Sequence, residues 1–387
     1  GVQKLTVKGT DSTDKGFQPH GKQVLEPHGI WYTPVTGIWQ TVWIEPVPAA
    51  NHIAGITTRS DIRAGVLSVD VKTARTGSDR VCVTLSADGK TLAERSSMAG
   101  QPVHLAVEHP RLWSPDDPYL YDLTVTLVRD GRVIDRAESY AALREIATGR
   151  DANGIERMTL NGRPLFHFGP LDQGWWPDGL YTAPSDEALA FDVIKTKDLG
   201  YNMIRKHVKV EPARWYYHCD KLGLVVWQDM VNGGSKYNLW FVTYLTNVLQ
   251  PLMRRLPDKA ALWGLLSRGS ESSRTEYRRE LEDTVQALSC HPCVGCWVPF
   301  NEGWGQFDAA GAVEAVRRLD DTRLVDEASG WYDQGGGDVD SLHNYFYPLR
   351  VRPRSRVVAL SEYGGIAWPM PGHEPPHKTY GYGTAKD

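Results

Sequence analysis

The sequence has few cysteines and lacks long hydrophobic runs. Its five cysteines in 387 residues are too few for a disulfide framework, and an odd number leaves at least one thiol unpaired within the chain. No apolar run reaches the roughly 18 residues of a membrane-spanning helix, and the first 16 residues lack the apolar centre of a signal peptide. We therefore predict no membrane partner. The compartment stays undecided, because the sequence reads as if it begins within a domain.

An excess of basic charge is also absent. With 43 Lys and Arg against 47 Asp and Glu, the formal net charge is -4. Such a chain presents no basic field to a nucleic-acid backbone. The sequence therefore predicts no nucleic-acid partner and favours a neutral or weakly charged ligand. It does not fix the oligomeric state and is compatible with a homo-oligomer.

Three of the cysteines are clustered with a spacing that occurs in metal sites. Cys290, Cys293 and Cys296 form a C-x2-C-x2-C run that contains His291, and such runs bind zinc or iron–sulfur clusters. The second half of the run, however, enters an apolar strand pattern, in which thiols serve as small core residues. We therefore predict core packing here and no metal. No other group of ligand-type residues requires a metal, and we predict no cofactor.

The first 145 residues have the pattern of β-structure. Apolar and polar residues alternate in short runs that Gly, Pro and Asp separate, such as KLTVKG, QTVWIEPV, VLSVDV and YDLTVTLV. Residues 49–147 have the length and strand spacing of an immunoglobulin-like β-sandwich. Residues 1–48 are too few for a sandwich of their own, so we interpret them as the last strands of a larger one.

After residue 148 helices alternate with strands. Amphipathic stretches separate short apolar strands, which are FHFG, NMIR, LVVW, VGCWVPFN, RLVDEAS, SLHNYF and RVVALSE. Apolar strands between helices indicate a buried parallel sheet, and this many units predict a (β/α)8 TIM-type barrel over residues 148–387. Only 25 residues follow Glu362, fewer than one unit of about 30 residues. The barrel is therefore predicted to be truncated before its eighth strand, with a gap beside the first strand or an edge covered by residues 366–387.

Two glutamates lie at the carboxyl ends of predicted barrel strands, where such barrels carry their catalytic groups. Glu302 ends the fourth strand in PFNEGWG, and Glu362 ends the seventh in ALSEYGG. A lone glutamate at a strand end more often forms an ion pair. Two carboxylates in one barrel mouth can instead act as proton donor and nucleophile, which glycosidic cleavage with retention requires at a separation of about 5.5 Å.

Five strings of residues resemble glycoside hydrolase family 2, which includes β-galactosidases, β-glucuronidases and β-mannosidases. They are GIWQTVWIEPVP (37–48), LWSPDDPYLYDLTVTL (112–127), NMIRKHV (202–208), WVPFNEGWG (297–305) and SEYGG (361–365). The first is similar to the exit from that family's jelly-roll sugar-binding domain, the second to its immunoglobulin-like domain, and the last three to its clan A catalytic barrel. The resemblance covers nearly the whole chain and implies a jelly-roll remnant over residues 1–48.

The resemblance also implies a retaining exo-β-glycosidase that works by double displacement. Glu302 corresponds to the acid/base and Glu362 to the nucleophile. Asn301 corresponds to the residue that hydrogen-bonds the sugar 2-hydroxyl, and Arg205 to the arginine that keeps the nucleophile ionised. Tyr345 is the candidate hydrogen-bond donor to Glu362. Arg205 could instead form an ion pair at the barrel mouth, and Tyr345 could be an aromatic residue of the rim.

Weaker candidates are placed by strand ends and loops alone. Those expected to bind sugar hydroxyls are Asp172, His207, Asp229, His343 and Asn344. Those expected to stack on the apolar face of a pyranose are Trp175, Trp176, Trp304, Trp331 and Trp368. Cores of sandwiches and barrels also use tryptophan, so we expect about half of the five to touch ligand.

The sequence restricts the substrate only in part. The Asn and Lys motif with which β-glucuronidases hold a carboxylate is not evident in IAWPMPGHEPPHKTYGYG after Glu362, which disfavours glucuronides and makes a β-galactoside the first candidate. Two other functions remain open. The first is a non-catalytic carbohydrate-binding remnant of the same fold, which the truncation favours. The second is an endo-acting clan A glycanase, which leaves the preceding sandwich unexplained.

Overall fold

The computed structural model describes residues 3–348, 350–368, 372 and 381–385. An antiparallel β-sandwich is followed by a region of parallel strands and helices, as the change of sequence pattern near residue 148 predicts. No helix in this part of the chain is both long and apolar enough to cross a membrane. The sequence argument against glucuronides falls largely on residues 369–371 and 373–380, which lie outside the described residues.

Residues 3–50 form no strand ladder. Their β-type pairings are the isolated bridges of Pro19 with Gly233 and of Gln23 with Tyr32. The strands predicted in KLTVKG and QTVWIEPV are therefore wrong for this structure. A strand is stable only against a partner, and these runs lie against none. Their apolar side chains face solvent, with Ile44 99% exposed.

Seven strands form the sandwich in two antiparallel sheets, ordered β1-β2-β5 and β4-β3-β6-β7. They are β1 Ile53–Asp61, β2 Val66–Thr73, β3 Arg80–Ala87, β4 Lys90–Met98, β5 Val103–Ala106, β6 Tyr121–Arg129 and β7 Arg132–Ala141. Every second residue along β3 and β6 is buried, and the buried residues pair across the sheet, as Val83 does with Val125. Burying such a side chain contributes about 1.5–3 kcal/mol. The alternation therefore builds the core of this domain.

The sandwich is joined firmly to the second half of the chain. A small antiparallel sheet connects the two and contains β8 Ile146–Arg150, β9 Glu156–Leu160 and β10 Arg163–Pro164. The buried guanidinium of Arg144 donates to the carbonyl oxygens of Pro292, Thr322 and Val294 at 2.9–3.1 Å. Because a charged donor satisfies three buried carbonyls at once, this residue fixes the sandwich against the parallel strands.

Parallel strands dominate the second half. They are β11 Leu171–Asp172, β12 Met203–Lys206, β13 Val225–Asp229, β14 Val294–Val298, β15 Phe300–Asn301, β16 Leu324–Val325, β17 Ala328–Ser329, β18 Val339–Asn344 and β19 Val357–Tyr363. One sheet has the order β11-β12-β13-β14-β16, and two further pairs are β15-β17 and β18-β19. Since β15 continues β14 and β17 continues β16, the strands occupy seven positions in chain order. The first lies at residues 171–172 rather than in FHFG at 166–169, where it was predicted.

Helices follow most of these strands. They are α1 Asp186–Asp198, α2 Ala213–Leu222, a π-helical turn Trp240–Leu245, α3 Thr246–Val248, α4 Gln250–Met253, α5 Ala260–Trp263, α6 Glu271–Leu288 and α7 Ala309–Leu319. The Ser270 hydroxyl caps α6 by accepting from the backbone N–H of Ser273 at 3.1 Å. Tyr277, Leu281 and Val285 recur every four residues along α6 and are buried against the strands.

The row of parallel strands is open on one side. β19 pairs with β18 and β11 with β12, and among the described residues no strand pairs with the other edge of either. A cavity of about 1430 Å³ lies between these edges, with Leu171 and Leu360 in its wall. Closure into an eight-stranded barrel is therefore not seen in the described part of the chain. The predicted truncation before an eighth strand stays a prediction. Beyond β19 the two-residue strands β20 Ile366–Ala367 and β21 Gly383–Thr384 pair with each other.

Candidate active site

Two carboxylates meet at the carboxyl ends of the parallel strands. Glu302 follows β15 directly, and Glu362 lies near the end of β19. One oxygen of each, together with one ring nitrogen of His343, lie within 4.8 Å of one another. This is close enough for both carboxylates to act on one small group.

Glu362 is buried among groups that stabilise a negative charge. The Tyr345 hydroxyl donates a hydrogen bond to Oε2, and Nη1 of Arg205 lies 3.1 Å from Oε1. Burial alone would raise the pKa of this carboxyl, but His343, Arg205, His207 and the Tyr345 hydroxyl outweigh it and hold the pKa well below its ordinary value. Glu362 is therefore an ionised carboxylate.

Glu302 is more accessible, with 17% of its side chain exposed. Nδ1 of His343 lies 2.8 Å from its Oε1. Its backbone has a φ of 53°, in the left-handed region, and its N–H donates to the carbonyl of Ser329 at 3.0 Å. The neighbouring strand end thus holds this backbone in place, and His343 orients the carboxyl group.

Arg205 at the end of β12 connects the two halves of the site. Its guanidinium makes a two-pronged pair with Asp229 at 2.9 and 3.1 Å, and Nη2 also donates to Oδ1 of Asn301 at 2.8 Å. Nδ1 of His207 lies 2.7 Å from Asp229. Because Arg205 is held from two sides, its remaining nitrogen points at Glu362 without needing the substrate to order it.

Comparison with known proteins places this arrangement in a family. The family described as Glycosyl hydrolases family 2 matches residues 51–144, most of the sandwich. A putative β-glucuronidase of Formosa agariphila is 31% identical over 320 residues, which are 79% of this chain and 27% of that protein. The chain belongs to glycoside hydrolase family 2.

Other glycosidases are similar to this chain at lower identity. A β-galactosidase of Lactococcus lactis is 26% identical over 210 residues, 53% of this chain and 20% of that protein. The solved structure of β-D-glucuronidase from Dictyoglomus thermophilum has a TM-score of 0.64 at 17% identity and covers 86% of this chain and 57% of that one, a likeness of fold. The chain spans 20–27% of the length of the two curated relatives.

Three predicted hydroxyl-binding residues form hydrogen bonds to other protein groups in this family 2 chain. Asp229 is fully buried, and both of its oxygens accept from Arg205 or His207, so it positions those residues and has no free oxygen for a sugar. Asp172 accepts from Nζ of Lys206 at 2.6 Å. Asn344 accepts the backbone N–H of Tyr347 at 3.0 Å and so stabilises a turn. The expectation that these three bind hydroxyls stays a prediction, since a strand-end position does not show which acceptors are already used.

The predicted aromatic residues divide into buried and exposed ones. Trp304 and Trp331 are each 4% exposed and belong to one apolar cluster, so their rings are largely covered. Trp175 stacks on Tyr32 with ring centroids 4.6 Å apart, and Trp176 is half-buried. Trp368 is 69% exposed. Two of the five rings are thus largely covered, and the expectation that about half of the five touch ligand stays a prediction.

Residues of the N-terminal segment approach the site, and sequence analysis did not identify them. Residues 19–32, the N-terminal loop, lie over the ends of β12 and β13, and Trp31 of this loop contacts Trp304 at 5.0 Å between ring centroids. Near the other end of the chain, Tyr382 packs against Tyr345 with ring centroids 4.4 Å apart. Neither stretch has a strand or helix pattern that could have placed it at the mouth.

The cysteine cluster lies away from this site. Cys293 and Cys296 are buried and Cys290 is exposed, and no disulfide joins any of the five cysteines. Burial raises the pKa of the Cys293 and Cys296 thiols well above the ordinary value, which keeps them protonated and poor as ligands. In the described residues the three sulfurs do not come together as a group that one ion could bridge. Cys293 and Cys296 are part of the core, as predicted.

Proposed function

We propose that this chain carries the catalytic centre of a retaining exo-β-glycosidase that hydrolyses terminal β-glycosides, with β-galactosides as the first candidate substrates. The observation that carries the proposal is the Glu302 and Glu362 pair, whose nearest oxygens lie within 4.8 Å. Retaining enzymes place their carboxyl groups about 5–5.5 Å apart, whereas inverting enzymes leave about 6.5–9.5 Å for a water molecule. Membership of family 2, with its β-galactosidase and β-glucuronidase relatives, supports the same activity.

The proposed reaction has two displacements at the anomeric carbon. In the first, an oxygen of Glu362 bonds to that carbon while the bond to the leaving oxygen breaks and Glu302 gives that oxygen its proton. In the second, the Glu302 carboxylate takes a proton from water, the water oxygen bonds to the carbon, and Glu362 leaves as a carboxylate. Two inversions give retention. The ionised state of Glu362 suits its role as nucleophile.

The surrounding residues have roles that fit this reaction. Arg205 and Tyr345 stabilise the Glu362 carboxylate before attack and release it as the glycosyl ester forms. Asn301 is oriented by Arg205. No residue that the structure describes accepts a hydrogen bond from its amide nitrogen, which in this proposal donates to the sugar 2-hydroxyl. His343 holds Glu302 and is a positioning residue.

The finer architecture is part of the same proposal. We take residues 49–147 as the immunoglobulin-like sandwich and 148–387 as a catalytic domain of the (β/α)8 type, of which the described residues form seven strand positions. Seven parallel strand positions in chain order, with helices between them and both glutamates at their carboxyl ends, support this description.

The test combines product stereochemistry with covalent labelling. We expect the full chain to hydrolyse an aryl β-galactoside and to release the β-anomer first, observed by proton NMR before mutarotation. A 2-deoxy-2-fluoro-β-galactosyl fluoride should form a stable ester, which peptide mass mapping should locate at Glu362. Release of the α-anomer, or labelling at another residue, would contradict the proposal. An absence of turnover and labelling across galactosides, glucosides, mannosides and glucuronides would favour a non-catalytic binding protein.

Replacing Tyr345 by Phe tests the support of the nucleophile. A hydrogen bond to a charged group contributes about 1.5–3 kcal/mol, so we expect kcat/KM to fall about 10- to 150-fold. Because the lost donor stabilised the ionised form, the pKa of Glu362 rises and the acid limb of kcat/KM moves to higher pH. The measurement is the pH profile of kcat/KM for both proteins. Tyr347→Phe, in an exposed neighbour, is the control, and an unmoved acid limb in Tyr345→Phe would contradict the role.

A further inference from the structure

The N-terminal loop is docked tightly on the mouth of the site. The backbone N–H groups of His20 and Gly21 both donate to the carbonyl of Asn232, at 3.1 and 2.8 Å, in the loop after β13. Gly21 has a φ of 60°, and a Cβ there would lie 2.8 Å from the carbonyl oxygen of Val208. Only glycine allows this approach, so the loop holds the next residue, Lys22, at a fixed place.

Lys22 is a buried lysine to which the described residues offer no anionic partner. It is 9% exposed, and its ammonium group lies 5.3 Å from the ring centroid of Trp31. It makes no ion pair or side-chain hydrogen bond with any residue that the structure describes. The two other buried lysines near the site differ, because Lys206 and Lys209 each lie within 3.0 Å of Glu211. An unpaired buried charge is costly, so a protein that keeps one has a use for it.

The charges around Lys22 are those of the catalytic site. Burial lowers the pKa of its ammonium group, and the carboxylates of Glu302, Glu362 and Asp229 oppose that shift. Lys22 therefore stands within the electrostatic field of the catalytic pair without touching either member.

Two further buried polar groups beside the N-terminal loop also lack partners. Both polar side-chain atoms of Asn232 and the indole nitrogen of Trp304 are buried, and they make no hydrogen bond within the part of the chain that the structure describes. Asn232 is tied to the loop through its carbonyl, and Trp304 contacts the rings of His20 and Trp31 at 5.4 and 5.0 Å. Together with the Lys22 ammonium, the indole N–H of Trp304 and the amide N–H groups of Asn232 supply hydrogen-bond donors on or beside the N-terminal loop. Such donors, one of them charged, suit an oxygen-rich anion better than a neutral hydroxyl.

We propose that Lys22, assisted by Asn232 and Trp304, binds an anionic substituent, a carboxylate or a sulfate, on the sugar held at the catalytic site. This inference rests on the proposed glycosidase function and narrows it to acidic β-glycosides. It is compatible with a galactose configuration, since a galacturonide or a sulfated galactoside carries such a group. The Asn and Lys motif of β-glucuronidases is not needed, because Lys22 supplies the cation from the other end of the chain.

The first experiment compares acidic with neutral substrates in matched lysine variants. Nitrophenyl β-galactoside, its 6-sulfate and nitrophenyl β-galacturonide are given to the parent, to Lys22→Met and to Lys22→Arg. The control is Lys15→Met, an exposed lysine of the same segment. We expect the parent to prefer one acidic substrate, and Lys22→Met to reduce the ratio of acidic to neutral kcat/KM by about 10- to 150-fold. Lys22→Arg should restore part of that ratio, and Lys15→Met should keep it.

The second experiment separates this inference from the proposed function. Calorimetry measures the binding of galacturonate, galactose 6-sulfate and galactose to each full-length variant, so that no turnover is needed. Stronger binding of one acid, lost in Lys22→Met but kept in Lys15→Met, supports the inference even if every glycoside is left intact. Turnover with equal losses on acidic and neutral substrates in Lys22→Met, or binding that does not depend on charge, overturns it while the glycosidase function stands. The two acids distinguish a carboxylate site from a sulfate site.

Discussion

Replacing Glu362 by Gln is expected to reduce kcat for an aryl β-galactoside by about 10⁵-fold or more, the scale on which enzymes lose rate when a nucleophile is removed. The amide has nearly the shape of the carboxylate but cannot form the glycosyl ester. Arg205 and Tyr345 keep their positions, so affinity for the intact sugar should change little. The measurements are kcat from initial rates and the dissociation constant of a non-hydrolysed thioglycoside.

The matched control for that variant is Glu314→Gln, which makes the same chemical change at an exposed position of α7. It should keep the parent kcat. Glu362→Gln with more than about a hundredth of the parent kcat, after deamidation has been excluded by mass spectrometry, would remove Glu362 from the nucleophile role.

Replacing Glu302 by Ala should give a different loss. General acid catalysis contributes about 10²- to 10⁴-fold, so glycosides with poor leaving groups should slow by that factor. Dinitrophenyl glycosides need little protonation, so they should still glycosylate Glu362 and then stall for want of a base. Azide needs no base and should release the sugar as the β-glycosyl azide. The measurements are the burst of dinitrophenol and the anomeric form of the azide product.

The outcome of the azide experiment assigns both roles at once. The parallel reaction with a Glu362 variant is the control, since attack on a free glycoside from the opposite face would give the α-azide. A β-azide from the Glu362 variant, or no rescue of either variant from an active parent, would show that the roles of Glu302 and Glu362 are assigned wrongly.

The sandwich could be predicted well because its signal is local. In β3 and β6 every second residue is apolar, and this period decides which face is buried before any partner is known. The runs at 4–9 and 40–47 have the same alternation but form no strand. Alternation shows which face of a strand would be buried, but hydrogen-bond partners decide whether a strand exists, and those are not encoded in the run itself.

The residues of the candidate site also fall into those that the sequence could predict and those that it could not. Glu302, Glu362 and Arg205 could be predicted because they end apolar strands and match motifs of a family. The predicted hydroxyl contacts of Asp229 and Asn344 could not be judged, since both side chains are used by groups that meet only in the fold. The role proposed for Lys22 could not be predicted from the sequence for a related reason. Its loop has no periodic pattern, and the sequence does not show that Lys22 is buried without an ion pair to any residue that the structure describes.

The left-handed backbone of Glu302 makes the proposed acid/base position one where the residue needed for activity lowers stability. A residue with a side chain costs roughly 1–2 kcal/mol in this region of φ and ψ, whereas glycine costs nothing there. Glu302→Gly would therefore remove both the proposed catalytic carboxyl and the strain. We expect its folded state to be more stable than that of Glu302→Ala, although the greater freedom of glycine in the unfolded chain offsets part of this gain. For synthesis of glycosyl azides, where the acid/base is dispensable, glycine rather than alanine is the replacement that this backbone prefers.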